Sequence, residues 1–248
     1  MGTVGNGGSL VTGAWYLRNS NSSGGHSVSR QYGATGDIPL VGDWDRNGTV
    51  TVGVYRPSES RFYLSNSTSS QVADVVTQFG NPGDIPVVGD WDYEGTTTIG
   101  VYRPSNQTFY LSNSNTTGAS NYVFQYGAPG DKPVVGNWNG DGFVTIGVFR
   151  PSNSTWYLRN SNTTGTANIS VGFGRSTDVP VTGNWDGSTG GSNATTIGVY
   201  RPSNQTFYLS NSNSSGSSNH IFQYGNPGDV PVTGDWDDNG TTTIGVGR

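Results

Sequence analysis

Residues 89–135 read GDWDYEGTTTIGVYRPSNQTFYLSNSNTTGASNYVFQYGAPGDKPVV, and this stretch decides the fold because the chain repeats it. The string G-[DN]-W-[DN] recurs at Gly42, Gly89, Gly136, Gly183 and Gly234, at intervals of 47, 47, 47 and 51 residues. The extra residues of the last interval fall in the loop DGSTGGSNATT. Each unit holds four stretches of strand character. The D-[IKV]-P-[VL]-[VT]-G-[DN]-W run is apolar on alternate and adjacent positions, as expected of a strand buried on both faces. TTTIGVYRP, TFYLSNS and YVFQYG supply the other three. Asn47-Gly48, Asp141-Gly142 and Asn239-Gly240 mark a tight turn after the first strand, and Pro-Ser-Asn, Asn/Ser-rich and Pro-Gly-Asp segments mark the rest. Four strands in about 47 residues is the size of a propeller blade.

The two ends of the chain complete one unit between them. The last copy, GDWDDNGTTTIGVGR, stops after 15 residues and two strands. The two strands it lacks stand at the other terminus, where TGAWYLRNSNSSGGHSVSRQYGATGDIPLV (Thr12–Val41) aligns with NSTWYLRNSNTTGTANISVGFGRSTDVPVT (Asn153–Thr182). The expected architecture is all-β: residues 12–248 form one five-bladed β-propeller of four-stranded antiparallel blades. Pairing of the N- and C-terminal strands closes the ring and removes an exposed sheet edge. An open stack of repeats is the alternative. Residues 1–11 are a Gly-rich tail outside the repeat. If this tail is ordered, Val4, Leu10 and Val11 must dock on the rim or on a neighbouring subunit, and exchange of closing strands between chains would build a polymer.

Composition narrows the function classes. Seventeen acidic against 12 basic residues leave a net charge of −5, and the basic residues are spread evenly, which argues against a nucleic-acid surface. Seven Trp, 13 Tyr and nine Phe argue against disorder. The absence of cysteine removes disulfides, thiolate catalysis and Cys-ligated metals. No apolar run approaches the roughly 18 residues of a membrane span, and the opening MGTVGNGGSL does not read as a signal peptide.

The string G-D-W-D-x-x-G-x-x-x-[IV]-G-V-[YF]-R-P resembles the FG-GAP or VCBS type of propeller repeat, found in microbial surface proteins, integrin heads and some fungal lectins. The blade number and period also resemble tachylectin, a five-bladed lectin. The resemblance implies an adhesive, lectin or accessory role, and it implies a calcium loop of the form D-x-D-x-D-G-x-x-D. This chain keeps that loop in part, at Asp43, Asp45 and Asn47, at Asp90, Asp92 and Glu94, and at Asp235, Asp237 and Asn239. The closing Asp is replaced by Thr51, Thr98, Thr145 and Thr243. No cofactor is required on this reading; weakly bound calcium competes with Asx side chains that cap a hairpin without metal.

Other residues recur once per blade. Trp44, Trp91, Trp138, Trp185 and Trp236 stand beside Asp or Asn, a pairing that suits the apolar face and the hydroxyls of a sugar. Packing between blades is the competing reading. Trp15, Phe62, Phe109, Trp156 and Phe207, and the adjacent Tyr16, Tyr63, Tyr110, Tyr157 and Tyr208, are expected in the core. Arg56, Arg103, Arg150, Arg201 and Arg248 match Asp37, Asp84, Asp131, Asp178 and Asp229 as a ring of ion pairs or as a polar pocket lining. His26 and His220 occupy non-equivalent positions, and the acids recur five times instead of forming one cleft, so the chain does not read as an enzyme.

Sequons of the form N-x-[ST] occur at Asn21, Asn47, Asn66, Asn106, Asn115, Asn153, Asn162, Asn168, Asn193, Asn204, Asn213 and Asn239, most of them in hairpin loops. They point to an extracellular or cell-surface glycoprotein. Two functions follow. One is a multivalent carbohydrate-binding or adhesion module whose partners are glycans or glycoconjugates. The other is an N-glycosylated structural subunit of a filament or surface layer, assembled from copies of itself through its terminal segments.

Overall fold

A computed structural model describes residues 13–67, 69, 71–187 and 194–248, and among these every regular element is a strand. The tail 1–11 and the sequon at Asn193 lie outside the described residues. Five four-stranded antiparallel sheets make the five blades. The first is β3 (Ile38–Gly42), β4 (Thr51–Arg56), β5 (Arg61–Leu64) and β6 (Val75–Gln78). The second is β7 (Ile85–Gly89), β8 (Thr98–Arg103), β9 (Thr108–Leu111) and β10 (Tyr122–Gln125). The third is β11 (Lys132–Gly136), β12 (Thr145–Arg150), β13 (Thr155–Leu158) and β14 (Ile169–Gly172). The fourth is β15 (Val179–Gly183), β16 (Thr196–Arg201), β17 (Thr206–Leu209) and β18 (His220–Gln223).

The fifth blade takes strands from both ends of the chain. Its order is β19 (Val230–Gly234), β20 (Thr243–Gly247), β1 (Ala14–Leu17) and β2 (Val28–Gln31). Trp15 pairs with Gly247 and Leu17 with Gly245, while Ala14 and Arg248 exchange backbone hydrogen bonds of 3.1 and 2.8 Å. The closing pairs are intramolecular, so neither strand is left with an unpaired ladder.

The first strand of each blade is the innermost, and these five strands surround an axial channel of about 310 Å³ lined by Pro39, Pro86, Pro133, Pro180 and Pro231. Their residues therefore alternate between buried and part-buried, which corrects the expectation of a strand covered on both faces. The strand buried along its first five residues is the second, T-[IV]-G-V-[YF]-R in the first four blades, sandwiched between neighbouring blades with only its terminal Arg part-exposed. Its central glycine is a packing requirement: a Cβ built on Gly100 would stand 2.7 Å from Leu111 Cδ2.

Hydrophobic clusters span each junction between blades. One joins Trp91, Tyr102, Phe109 and Leu111 of the second blade to Ile146 and Val148 of the third. Trp15, Phe62, Phe109, Trp156 and Phe207 are at most 2% exposed, and each such ring stabilises the fold by roughly 2–3 kcal/mol through burial. Hydrogen bonds accompany this packing: Thr195 N donates to Asn137 O at 2.7 Å, and Asn137 N donates back to Thr195 Oγ1 at 3.0 Å.

Candidate ligand clefts between the blades

The G-[DN]-W tryptophans do not form sugar platforms. Trp44, Trp91, Trp138 and Trp185 are 2–4% exposed, and their rings fill the wedge between adjacent sheets. Trp236 is part-buried against the cluster that holds Trp15 and Leu17. A ring enclosed on both faces offers neither to a ligand. The indole N–H groups are mostly satisfied internally, as where Trp138 Nε1 donates to Ile146 O at 3.1 Å.

Tyr16, Tyr63, Tyr110, Tyr157 and Tyr208, expected in the core, are part-buried instead. They follow a buried aromatic along the third strand, so the period-two alternation turns them to the opposite face. Over each ring lies the arginine from the end of the second strand, with the guanidinium carbon 4.2–4.5 Å from the ring centroid. The same arginine forks onto the aspartate that precedes its blade's first strand. In the third blade Arg150 Nε and Nη2 each donate to Asp131 at 2.8 Å. The other four blades repeat this pair. The expected ring of ion pairs is present, each tying the first two strands of one blade together, and the guanidinium also lines the blade surface. Hydrogen bonding to the carboxylate holds each guanidinium above its ordinary pKa.

These Arg–Tyr pairs line clefts at successive blade junctions. Between the second and third blades a cleft of about 290 Å³ is lined by Gln125, Tyr126, Gly127, Arg150, Tyr157 and Gly165, among others. Between the third and fourth, about 490 Å³ is bounded by Phe173, Gly174, Arg201, Tyr208 and Gly216. Between the fourth and fifth, about 510 Å³ is bounded by Gln223, Tyr224, Gly225, Arg248, Tyr16 and His26. These volumes overlap the usual range for small-ligand sites. The glycine at the linker has φ of +94° at Gly127, +88° at Gly174 and +92° at Gly225, a conformation that keeps side-chain bulk out of the cleft. Burial pushes the Tyr126 phenol up to about 12, and its Oη is enclosed behind the cleft wall without a hydrogen-bond partner. Tyr157 Oη accepts from Asn153 Nδ2 at 3.0 Å, leaving its own hydroxyl proton to donate. Each cleft therefore combines an aromatic ring, a cation and hydroxyl or amide groups.

The Asp/Asn turns do a different job. Asp43 Oδ1 and Oδ2 accept from Asn47 N at 3.1 Å and Gly48 N at 2.8 Å. Asp90 caps Glu94 and Gly95 in the same way, and Asp235 caps Asn239 and Gly240. Asp45 accepts from Asn47 Nδ2, closing the turn further. Among the described residues, no three His, Asp or Glu side chains are grouped so as to hold a metal ion. Asp92 and Asp237 lie in the same turns.

The sequons divide by environment. Asn47, Asn153, Asn168 and Asn239 are exposed. Asn115, Asn162 and Asn213 are part-buried and donate through Nδ2 to Thr97 O, Val144 O and Thr195 O at 2.8–3.0 Å. Asn21 does likewise to Thr242 O at 2.9 Å and Trp185 O at 3.2 Å, bracing its hairpin against the preceding blade. Asn106 and Asn204 donate to Tyr110 and Tyr208 hydroxyls, and Asn66 is part-buried.

Comparison of the chain with models of known protein families gave no match, and comparison with curated proteins gave none either. The established description is a five-bladed repeat propeller. Among the described residues no helix is long and apolar enough to cross a membrane.

Proposed function

We propose that this chain is a non-catalytic, multivalent carbohydrate-binding or adhesion module of an extracellular or cell-surface protein, and that its ligand sites are the clefts between blades. The observation that carries this reading is recurrence: one arginine, one part-buried tyrosine and one left-handed glycine line equivalent clefts at three successive junctions. Sites of this polarity suit a ligand rich in hydroxyls, which takes hydrogen bonds from the guanidinium and exchanges them with the Tyr16, Tyr157 or Tyr208 hydroxyl at the cleft wall. Several weak copies gain strength when the ligand is displayed repeatedly. An enzyme concentrates its reactive groups in one exceptional place, and repeated equivalent clefts favour binding over turnover. The repeated motif's resemblance to FG-GAP or VCBS blades agrees with adhesion. Exposed sequon asparagines support a glycosylated, surface-displayed protein.

The test is a glycan array probed with the wild-type chain and with a variant carrying Tyr16→Ala, Tyr157→Ala and Tyr208→Ala. Binding to a subset of glycans that disappears in a folded triple variant is the expected result. A blank array, or binding that the variant retains, overturns the assignment to these clefts. The structural-subunit reading predicts a different outcome: a blank array together with ordered filaments or sheets in electron micrographs.

A further inference from the structure

The second strand of each blade ends in an aromatic residue and an arginine, except in the closing blade. Tyr55, Tyr102, Phe149 and Tyr200 occupy this position in the first four, and Gly247 occupies it in the fifth. The four rings are at most 1% exposed. Each packs on the aromatic residue paired with it on the third strand, Tyr102 on Phe109 at 4.8 Å between centroids and Phe149 on Trp156 at 5.4 Å. Two of them reach across the junction to the linker of the next blade: a Cβ built on Gly127 would stand 3.3 Å from Tyr102 Oη, and one on Gly225 would stand 3.5 Å from Tyr200 Oη.

At the junction of the fifth and first blades the equivalent space is a cavity of about 180 Å³. Its walls include Trp15, which pairs with Gly247, together with Tyr32, Asp37, Pro39 and Val54. Trp15 corresponds to Phe109, and Tyr32, Asp37 and Val54 correspond to Tyr126, Asp131 and Val148 around the ring of Tyr102. The cavity thus has the walls of an aromatic slot, and the chain supplies no ring from Gly247. An apolar cavity of roughly 150 Å³ accommodates benzene in an engineered protein, so the size suits one six-membered ring.

We propose that this cavity is a binding site for one small monocyclic aromatic molecule, of the phenol or alkylbenzene class. Phe149 fills its slot without a hydroxyl, so the ring is the recognised feature and a para-hydroxyl is tolerated, as the three tyrosines show. Among the described residues the site is single, in contrast to the recurring clefts, and it does not depend on their assignment.

The probe is p-cresol, titrated by calorimetry and followed by amide chemical shifts. The expected result is one molecule per chain, with shifts centred on Gly13, Gly36 and Gly247 and a rise in Tm. Gly247→Tyr supplies the ring covalently. Its backbone φ lies outside the left-handed region, and a Cβ there would stand 3.6 Å from Pro39 Cγ, so the side chain enters without a clash at its base. This variant is expected to melt above the wild type and to lose the p-cresol heat. Toluene is expected to bind the wild type, and cyclohexanol, which is not planar, to bind at least tenfold more weakly. Absence of p-cresol binding to the wild type overturns the proposal, as does equal binding by the folded Gly247→Tyr variant or a stoichiometry near five.

Discussion

Replacing Asp178 with alanine is expected to destabilise the protein more than the same replacement at Asp229, although the two residues have identical roles in their blades. Asp178 is fully buried and accepts from Arg201 Nε at 2.9 Å, Arg201 Nη2 at 2.8 Å and Arg175 N at 3.0 Å. Arg201 is 11% exposed, so water reaches it poorly once its partner is gone. Lys132 adds to the effect: its ammonium donates to Asp178 O at 2.9 Å, and burial lowers its pKa while the Asp178 carboxylate opposes that shift. Breaking a buried pair by removing one member costs roughly 3–5 kcal/mol, and Asp178→Ala belongs near about 4 kcal/mol. Arg248 is 33% exposed and its Nη2 lies 3.2 Å from Asp229 Oδ2, so solvent recovers part of the loss. Screening brings the expected cost of Asp229→Ala to about 2 kcal/mol. A difference of about 2 kcal/mol corresponds to roughly 4–8 °C in Tm for a chain of this size. Urea unfolding followed by tryptophan fluorescence and circular dichroism, with unchanged m, is the assay. Equal losses, or a larger loss at Asp229, would refute the claim that residual solvation of the arginine sets the cost.

Further outcomes follow from other parts of the ring. Trp138→Ala, which empties a wedge between blades, is expected to cost about 3–5 kcal/mol in chemical denaturation, whereas Ile146→Val costs about 0.5–1.5 kcal/mol. Asn213→Ala removes the donor to Thr195 O and lowers Tm, while Asn239→Gln at an exposed turn loses only the acceptor for Thr241 N and changes Tm less. Removing residues 1–17 strips β1 from the fifth blade and leaves β20 with an unpaired edge. Light scattering is then expected to show association that the full chain lacks.

Much of the architecture was legible before any coordinates. The 47-residue period pointed to the blade, the two partial copies at the ends led to the expectation of a closed ring over an open stack, and the recurrence of one Arg and one Asp per copy, 19 residues apart in four blades and 23 in the fourth, anticipated their pairing. The candidate site was less legible. Trp beside Asp has the composition of a sugar pocket, yet composition does not say which face of a blade meets its neighbour. The tyrosine after each buried aromatic carried the usable signal, because strand alternation places it on the opposite face from that aromatic. Reading TFYL as uniformly apolar concealed that alternation.

Local pattern in the chain determines strands, turns and repeat number, since each depends on neighbours within a few residues or on copying at a fixed interval. Gly247 was also visible as the odd residue among five aligned positions. What it means was decided only by the closed ring, which brings Trp15 opposite Gly247 and Val54 against the same cavity. Exposure of Arg201 and Arg248, burial of the tryptophans and the clefts at the junctions were decided there too. They are properties of surfaces that meet only when one blade packs on the next.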